Sequence, residues 1–304
     1  MVAVAPMLLS TTRSQPIGRD WVLEPKWDGF RFLYRLSGDG AATCWTRHAN
    51  RHDRKLPYID AELRGLFPDE TVLDGELVAL GRGPDGVVRH DFERLRSILA
   101  TRSAHRPSAQ IPALQYVVFD GLELGGEDLR DRSWRERRAA LEAAVAAPTD
   151  HVSLTETLEP LEECHERLIG AGFEGSVYKR RSSTYRCGQR SSSWLKRKAR
   201  HELEVLIRPL RTREGIVERV GCSLLMNGER LPVGHAEVCQ SEVCELLAAQ
   251  PEAFDGHRGS VVFSSVSARG ELREARLAAV EPVDRLHLVK GSHPRGPALG
   301  TSRS

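Results

Sequence analysis

Along the first two thirds of the chain, apolar and polar positions switch repeatedly between a strand-like and a helix-like period. Residues 21–37 read as two strands joined by a short turn, and the second, Phe30-Arg-Phe-Leu-Tyr-Arg-Leu36, alternates apolar with polar positions. Gly38-Asp-Gly40 is a hairpin signal, with Ala41–Thr46 as the returning strand. Pro57–Leu66 reads as a helix opened by proline, Val72–Leu80 as a strand, Asp91–Ala100 as a helix and Leu114–Leu124 as a strand. Ser133–Ala146 is the clearest helix, with Ser133 at the N-cap and Glu136 three residues on, a capping box. Pro160–Ile169 is a further helix, and Gly175–Arg180 and Trp194–Lys198 are strands.

Beyond Arg200 the pattern changes. Short strand candidates follow one another at Glu204–Pro209, Ile216–Val220, Leu224–Met226, Val233–Val238, Val261–Ser267 and Ala275–Val280, with one helix at Glu242–Ala249. That pattern predicts a small β-barrel. The last 14 residues, rich in Gly, Pro and Ser, are expected to be a disordered tail.

Composition narrows the class. At 304 residues, two domains are expected on a prior of roughly 150 residues each. With 40% hydrophobic and 28% charged residues, and no run near the ~20 apolar residues of a membrane span, the chain reads as globular rather than integral to a membrane. The start lacks a basic leader and Pro6 interrupts its apolar stretch, so a cytoplasmic protein is expected. No two of the six cysteines have the Cys-x-x-Cys spacing of a zinc or redox site, which leaves scattered reduced thiols.

Charge is uneven beneath a formal net of +2. Residues 178–200 hold nine basic side chains and no acidic one, interleaved with Tyr178, Tyr185 and Trp194. A solvated face is the usual reading of a charge run, but the aromatics argue for phosphate binding or stacking. Only six of the 44 basic residues are lysine: Lys26, Lys55, Lys179, Lys196, Lys198 and Lys290. A chain that prefers Arg so strongly keeps Lys where a proton must be lost.

Lys26 lies in Glu24-Pro-Lys-Trp-Asp-Gly-Phe-Arg31, at the predicted strand-to-strand turn. Taken alone, the segment also fits a solvated turn lysine. As a covalent nucleophile its amine must be neutral, which at an ordinary pKa near 10.4 holds for about one molecule in a thousand at pH 7.4. Burial or neighbouring cations would raise that fraction, and Lys179, Lys196 and Lys198 could supply the cations.

Five segments in order resemble the motifs of the covalent nucleotidyltransferases, specifically the ATP-dependent DNA ligases. They are Lys26-Trp-Asp-Gly-Phe-Arg31, Thr46-Arg47, Leu73-Asp-Gly-Glu76, Glu174-Gly-Ser-Val-Tyr-Lys179 and Trp194-Leu-Lys-Arg-Lys198. Ala5-Pro-Met-Leu8 and Tyr116-Val-Val-Phe-Asp120 are similar to that family as well. The resemblance covers roughly residues 5–200. It implies an α+β protein: a nucleotidyltransferase domain of antiparallel sheets with flanking helices over 1–202, an OB-fold barrel over 203–290 and the tail over 291–304. It implies nick sealing in DNA repair or end joining, through AMP carried on Lys26. Glu24 would accept from the adenine amino group, Arg31 and Glu76 would bond the ribose, and Phe119, at a strand end, would stack on the base. Glu174 would hold Mg²⁺ or Mn²⁺, and Lys179, Lys196 and Lys198 would neutralise phosphates. Arg47 would grip the 5′-phosphate of the nick. The implied partners are ATP, nicked double-stranded DNA and end-joining or repair proteins, with the chain a monomer.

The resemblance has two departures. His48-Ala-Asn50 stands where the family has Asn-Gly after Thr-Arg. The family's closing Arg-x-Asp-Lys type motif has no counterpart; Arg276, Asp284 and Arg285 are its only fragments. Slow self-adenylation is therefore expected. Alternatives are an RNA ligase, a capping-type nucleotidyltransferase that uses GTP, or a nick-binding protein with impaired self-adenylation.

Overall fold

The computed structural model describes residues 4–16, 18–52, 56–82, 88–100, 114–145, 148–267 and 270–281. Asp284, Arg285 and the expected tail lie outside them. The chain divides into two compact units, Met1–His201 with Phe263–Arg273, and Glu202–Val262 with the chain from Glu274.

The first unit opens with β1 (Leu8–Thr11), β2 (Trp21–Pro25), β3 (Phe30–Leu36) and β4 (Ala42–Thr46). Then come α1 (Pro57–Leu66), β5 (Thr71–Arg82), β6 (Val88–His90), α2 (Phe92–Ala100), β7 (Leu114–Leu124) and β8 (Glu127–Asp128). It continues through α3 (Trp134–Ala144), β9 (Val152–Leu154), α4 (Cys164–Gly170), β10 (Gly175–Arg180) and β11 (Arg190–Lys198). Two sheets result. One runs β1-β11-β10-β2; the other runs β4-β3-β5-β7-β8, with β6 on β5 and β9 on β7. Most pairings are antiparallel, as expected. The exceptions β1/β11 and β7/β9 are parallel, and each joins segments separated by a long crossover.

Local chemistry sets these elements. The capping box of α3 forms as expected, with Ser133 Oγ accepting from the Glu136 amide and Glu136 Oε2 accepting from the Ser133 amide. Alternation along β3 and β5 sends Phe32, Tyr34, Leu73 and Leu77 to a core under the helices, shared with Leu63, Leu95 and Leu141. The opposite faces meet in a second cluster holding Met7, Leu33, Val72, Tyr185 and Trp194. Pro160–Ile169 was expected to be helical throughout, but the helix begins only at Cys164, after a turn.

In the second unit, β12 (His201–Arg211), β13 (Val217–Met226), β14 (Glu229–Glu237), β15 (His257–Phe263) and β18 (Arg276–Val280) close into a barrel in the order β12-β13-β14-β18-β15. α5 (Ser241–Ala249) lies between β14 and β15 in sequence. The expected strands Ile216–Val220 and Leu224–Met226 are one strand, whose register slips between Cys222 and Ser223. A polar Ser at a bulge reads in sequence as a break. Val261–Ser267 divides between β15 and β16 (Ser265–Val266); β16 pairs with β17 (Leu272–Arg273), and both of these strands belong to the first unit. Val205, Ile207, Val220, Cys222, Ala236 and Val261 fill the barrel. All six cysteines are free thiols, and among the described residues no helix is long and apolar enough to cross a membrane.

Candidate active site

Lys26 sits in the turn between β2 and β3, sewn to the start of β10 by two backbone bonds. Its amide donates to the Gly175 carbonyl at 3.0 Å, and the Glu174 amide donates back to the Lys26 carbonyl at 3.1 Å. Both glycines of these motifs are needed for close approach. A Cβ at Gly29 would run into the Leu77 carbonyl, and one at Gly175, whose φ is 147°, into the Arg197 carbonyl. The Lys26 ammonium donates to Glu174 Oε2, and Lys198 Nζ lies 2.8 Å from Glu174 Oε1. Burial alone would raise the Glu174 carboxyl, but Lys26 and Lys198 together hold it below the ordinary range.

A second glutamate–lysine pair lies deeper. In the β2/β10 register Glu24 faces Val177, so Lys179, two residues on, is its diagonal neighbour on the same face. Lys179 Nζ is 2.8 Å from Glu24 Oε2 and donates to the Phe119 carbonyl at 3.0 Å. It also lies 4.6 Å from the ring centre of Phe119 and 4.3 Å from that of Trp194. The pair is almost dry, with side-chain exposures of 1% and 3%. Burial pushes the Glu24 carboxyl up and the Lys179 ammonium down, each opposed by its partner. The other carboxyl oxygen, Glu24 Oε1, is buried and has no partner. Lys179 was expected to neutralise phosphates; its bonds to Glu24 and Phe119 place it instead behind the carboxylate.

Phe119 lies within β7 rather than at a strand end. Asp74 faces Asp120 and Gly75 faces Val118, so Phe119 is the extra residue of a β-bulge. The bulge turns its ring to the cleft and leaves its carbonyl for Lys179. Beneath it the Asp120–Arg137 pair is fully buried, with two bonds of 2.7 and 2.8 Å.

Arg31 and Glu76 face each other across β3 and β5. The Arg31 guanidinium binds both oxygens of Asp74, at 2.8 and 2.5 Å, and the Met7 carbonyl at 2.6 Å. Tyr185 donates to the same Asp74 at 2.5 Å and accepts from the Met7 amide at 3.0 Å. Burial pushes Glu76 up to about 8, against the pull of Lys26 and Arg31. It therefore enters neutral pH largely as the acid, able to donate as well as accept.

Six expected residues, Glu24, Lys26, Arg31, Glu76, Phe119 and Lys179, thus line one cleft, together with Trp27 and Trp194. Glu174 and Lys198 join it through Lys26. Lys196 shares the face of β11 that carries Trp194 and Lys198, by strand alternation. Arg47 stands apart, exposed on the turn after β4. No group of three potential ligands for a metal occurs among the described residues. Sequence reading gave no role to Asp74, Trp27 or Tyr185. Asp74 was inside a recognised motif, and the aromatics of the basic 178–200 segment were the signal for Tyr185.

A family model for the ATP dependent DNA ligase domain matches residues 6–198. The chain is 34% identical over 226 residues to the multifunctional non-homologous end joining protein LigD of Pseudomonas aeruginosa, covering 73% of this chain and 25% of that protein. It is 32% identical over 245 residues to a probable DNA ligase of Streptomyces griseus, covering 76% and 46%. DNA ligase C2 of Mycolicibacterium smegmatis is 35% identical over 193 residues, covering 62% and 52%. The chain thus spans between a quarter and about half of these relatives' lengths. Among solved structures, the mycobacterial DNA ligase D complexed with ATP and MES aligns with a TM-score of 0.56 and 25% identity, covering 93% of this chain and 96% of that one. A Lig E DNA ligase shares the fold at a TM-score of 0.64 and 19% identity, covering 90% and 99%.

Proposed function

The chain belongs to the ATP-dependent DNA ligase domain family, and from that premise we propose that it seals nicks bearing 3′-hydroxyl and 5′-phosphate ends, in DNA repair or end joining. The observation that carries this reading is one cleft holding both the Lys26 amine and the unpartnered buried oxygen of Glu24. A buried acceptor without a donor is costly. An adenine amino group would satisfy Glu24 Oε1, with Phe119 and Trp194 supplying aromatic surface for the ring.

In the first step, Lys26 Nζ directs its lone pair at the α-phosphorus of ATP. The N–P bond forms, the bond to the bridging oxygen breaks, and pyrophosphate leaves with that electron pair. Glu174 Oε2, already bonded to Nζ, is placed to take the proton that Lys26 must lose. Lys196 and Lys198 face the phosphates, and Glu76 bonds the ribose hydroxyls, with Arg31 beside it held by Asp74. AMP then passes to the nick 5′-phosphate, gripped by Arg47, and the 3′-hydroxyl displaces it.

Glu174 is the candidate ligand for Mg²⁺ or Mn²⁺. One carboxylate suits a cation that completes its shell from phosphate oxygens and water. When bound, the cation would neutralise phosphate charge. Each Glu174 oxygen engages one lysine and has a second lone pair with which it could bind the cation. We assign the barrel as an OB-fold domain over 203–290 that holds duplex DNA, with the chain acting as a monomer.

The test is incubation with α-labelled ATP and Mg²⁺, denaturing electrophoresis, then sealing of nicked duplexes. Covalent labelling by ATP and sealing of nicked DNA are expected. Labelling by GTP in place of ATP would indicate a capping-type enzyme, preference for nicked RNA an RNA ligase, and DNA binding without labelling a nick-binding protein.

A further inference from the structure

The buried Glu24–Lys179 pair has the geometry of a selectivity device. Glu24 presents one oxygen to the cleft and the other to Lys179. A carboxylate can only accept, whereas a carboxylic acid can also donate. Adenine carries an amino donor at its 6-position; guanine and hypoxanthine carry a carbonyl acceptor there. The protonation state of Glu24 therefore decides which purine the cleft satisfies.

We propose that Lys179 is the specificity-determining residue of the cleft: by donating to Glu24 Oε2 it keeps Glu24 an obligate acceptor, so a 6-amino purine is taken and a 6-oxo purine is turned away. The inference rests on the nucleotide-binding reading above and names the residue that sets its selectivity.

Position supports it. Lys179 Nζ is fixed from several sides: by the Phe119 carbonyl that the β-bulge frees, and by the rings of Phe119 and Trp194. Trp194 is its direct cross-strand neighbour. The ammonium is thus anchored by groups that do not depend on the nucleotide. Burial works against Glu24 staying ionised, and Lys179 is the strongest opposing influence. Arg138 helps from farther away and Asp120 opposes. Without Lys179, burial would push the Glu24 carboxyl higher still, with only the weaker pull of Arg138 against it, and Glu24 would become an acid able to donate to a 6-oxo group.

The experiment compares covalent labelling of the full chain by α-labelled ATP and α-labelled ITP, which differ at the 6-position. Wild type should favour ATP by tenfold or more, the scale of a hydrogen bond to a charged group. Lys179→Met should cut that preference by about tenfold through loss of ATP labelling and gain of ITP labelling. A merely structural role would lower both together and leave the ratio unchanged, which would overturn the proposal. Glu24→Gln asks the same from the other side, should Lys179→Met not fold. Lys179 can pair only with the amide oxygen, which turns the NH₂ toward the cleft, so ITP should overtake ATP. A wild-type ratio in Glu24→Gln overturns the proposal while leaving nucleotide binding intact. If neither nucleotide labels the wild-type chain, the adenylation reading itself fails, and this inference with it.

Discussion

The cleft holds two glutamate–lysine pairs made of the same chemical groups, and they behave oppositely. At one end Glu174 meets two lysines, Lys26 and Lys198, that remain partly exposed at 18% and 26%. There the cations outweigh burial and the carboxyl is held down. At the other end Glu24 meets one lysine in near-dry surroundings, and burial outweighs the cation. The difference follows from the number of cations and the water left around them, not from residue type. It matches the work proposed for each end. The phosphate end must exchange partners as a proton, a cation and pyrophosphate come and go. The base end must present one fixed hydrogen-bonding pattern.

The largest expected effect breaks the exposed pair. Lys26→Arg keeps a cation for Glu174, so the fold should survive. Guanidinium does not lose its proton at accessible pH, so covalent labelling by ATP should vanish. Lys26→Ala should do the same. Robust labelling of Lys26→Arg on a denaturing gel would show that the nucleophile lies elsewhere.

The next variant undermines the dry end. Asp120 follows the bulged Phe119, and Arg137 is its buried partner, also bonding the Arg132 and Ser183 carbonyls. Arg137→Met would leave a buried carboxylate alone. A loss of about 3 kcal/mol or more in unfolding free energy is expected from denaturant titration. A loss under about 1 kcal/mol, the scale of an exposed pair, would mean that water reaches Asp120.

These two ends were unequally legible in the sequence. Lys26 in its turn, Glu174 and the lysines of β11 could be found because motif order and the scarcity of lysine single them out. The capping box of α3 was equally readable, since its chemistry is local. The role of Lys179 was not readable, because it depends on strand register: only the β2/β10 pairing makes it the diagonal neighbour of Glu24. The bulge at Phe119 depends likewise on an offset between β5 and β7 that no single segment encodes. Arg31 could be placed in the cleft, but its engagement by Asp74, Met7 and Tyr185 joins residues up to 178 positions apart. Strand boundaries in the barrel failed where polar residues occupy bulges.

Glu76 lies between the two ends, feeling Lys26 from one and Arg31 from the other. Its carboxyl titrates near 8 in the folded chain, against an ordinary value of 4.5. The folded state thus binds more protons than the unfolded state between those values, and this group's contribution to stability falls as pH rises from about 4.5 to about 8. Glu76→Gln removes the titration. Its thermal midpoint relative to wild type should therefore be several degrees more favourable at pH 8 than at pH 4.5. A difference between the two proteins that does not change with pH would place the Glu76 carboxyl in an ordinary, hydrated setting.

The smallest effect concerns Arg47, which belongs to neither end. Its turn is held by backbone bonds, not by a buried ion pair. The Thr46 amide donates to the Asn50 carbonyl at 3.0 Å and the Ala49 amide to the Thr46 carbonyl at 2.9 Å. A three-residue hairpin loop of this kind ends in a left-handed residue, usually glycine. Here that residue is Ala49, with φ at 60°. The departure from Asn-Gly noted in the sequence therefore falls where the backbone most wants a glycine. Ala49→Gly should relieve about 1 kcal/mol of left-handed strain. Part of that is offset because glycine gives the unfolded chain more freedom, by about 0.5 kcal/mol. A net gain of roughly 0.5 kcal/mol in unfolding free energy is expected, with ATP labelling unchanged because neither glutamate–lysine pair touches this turn. A loss of stability would show that unfolded-state freedom dominates and that Ala49 is not a strained substitute. A change in labelling would show that this turn is coupled to the cleft after all.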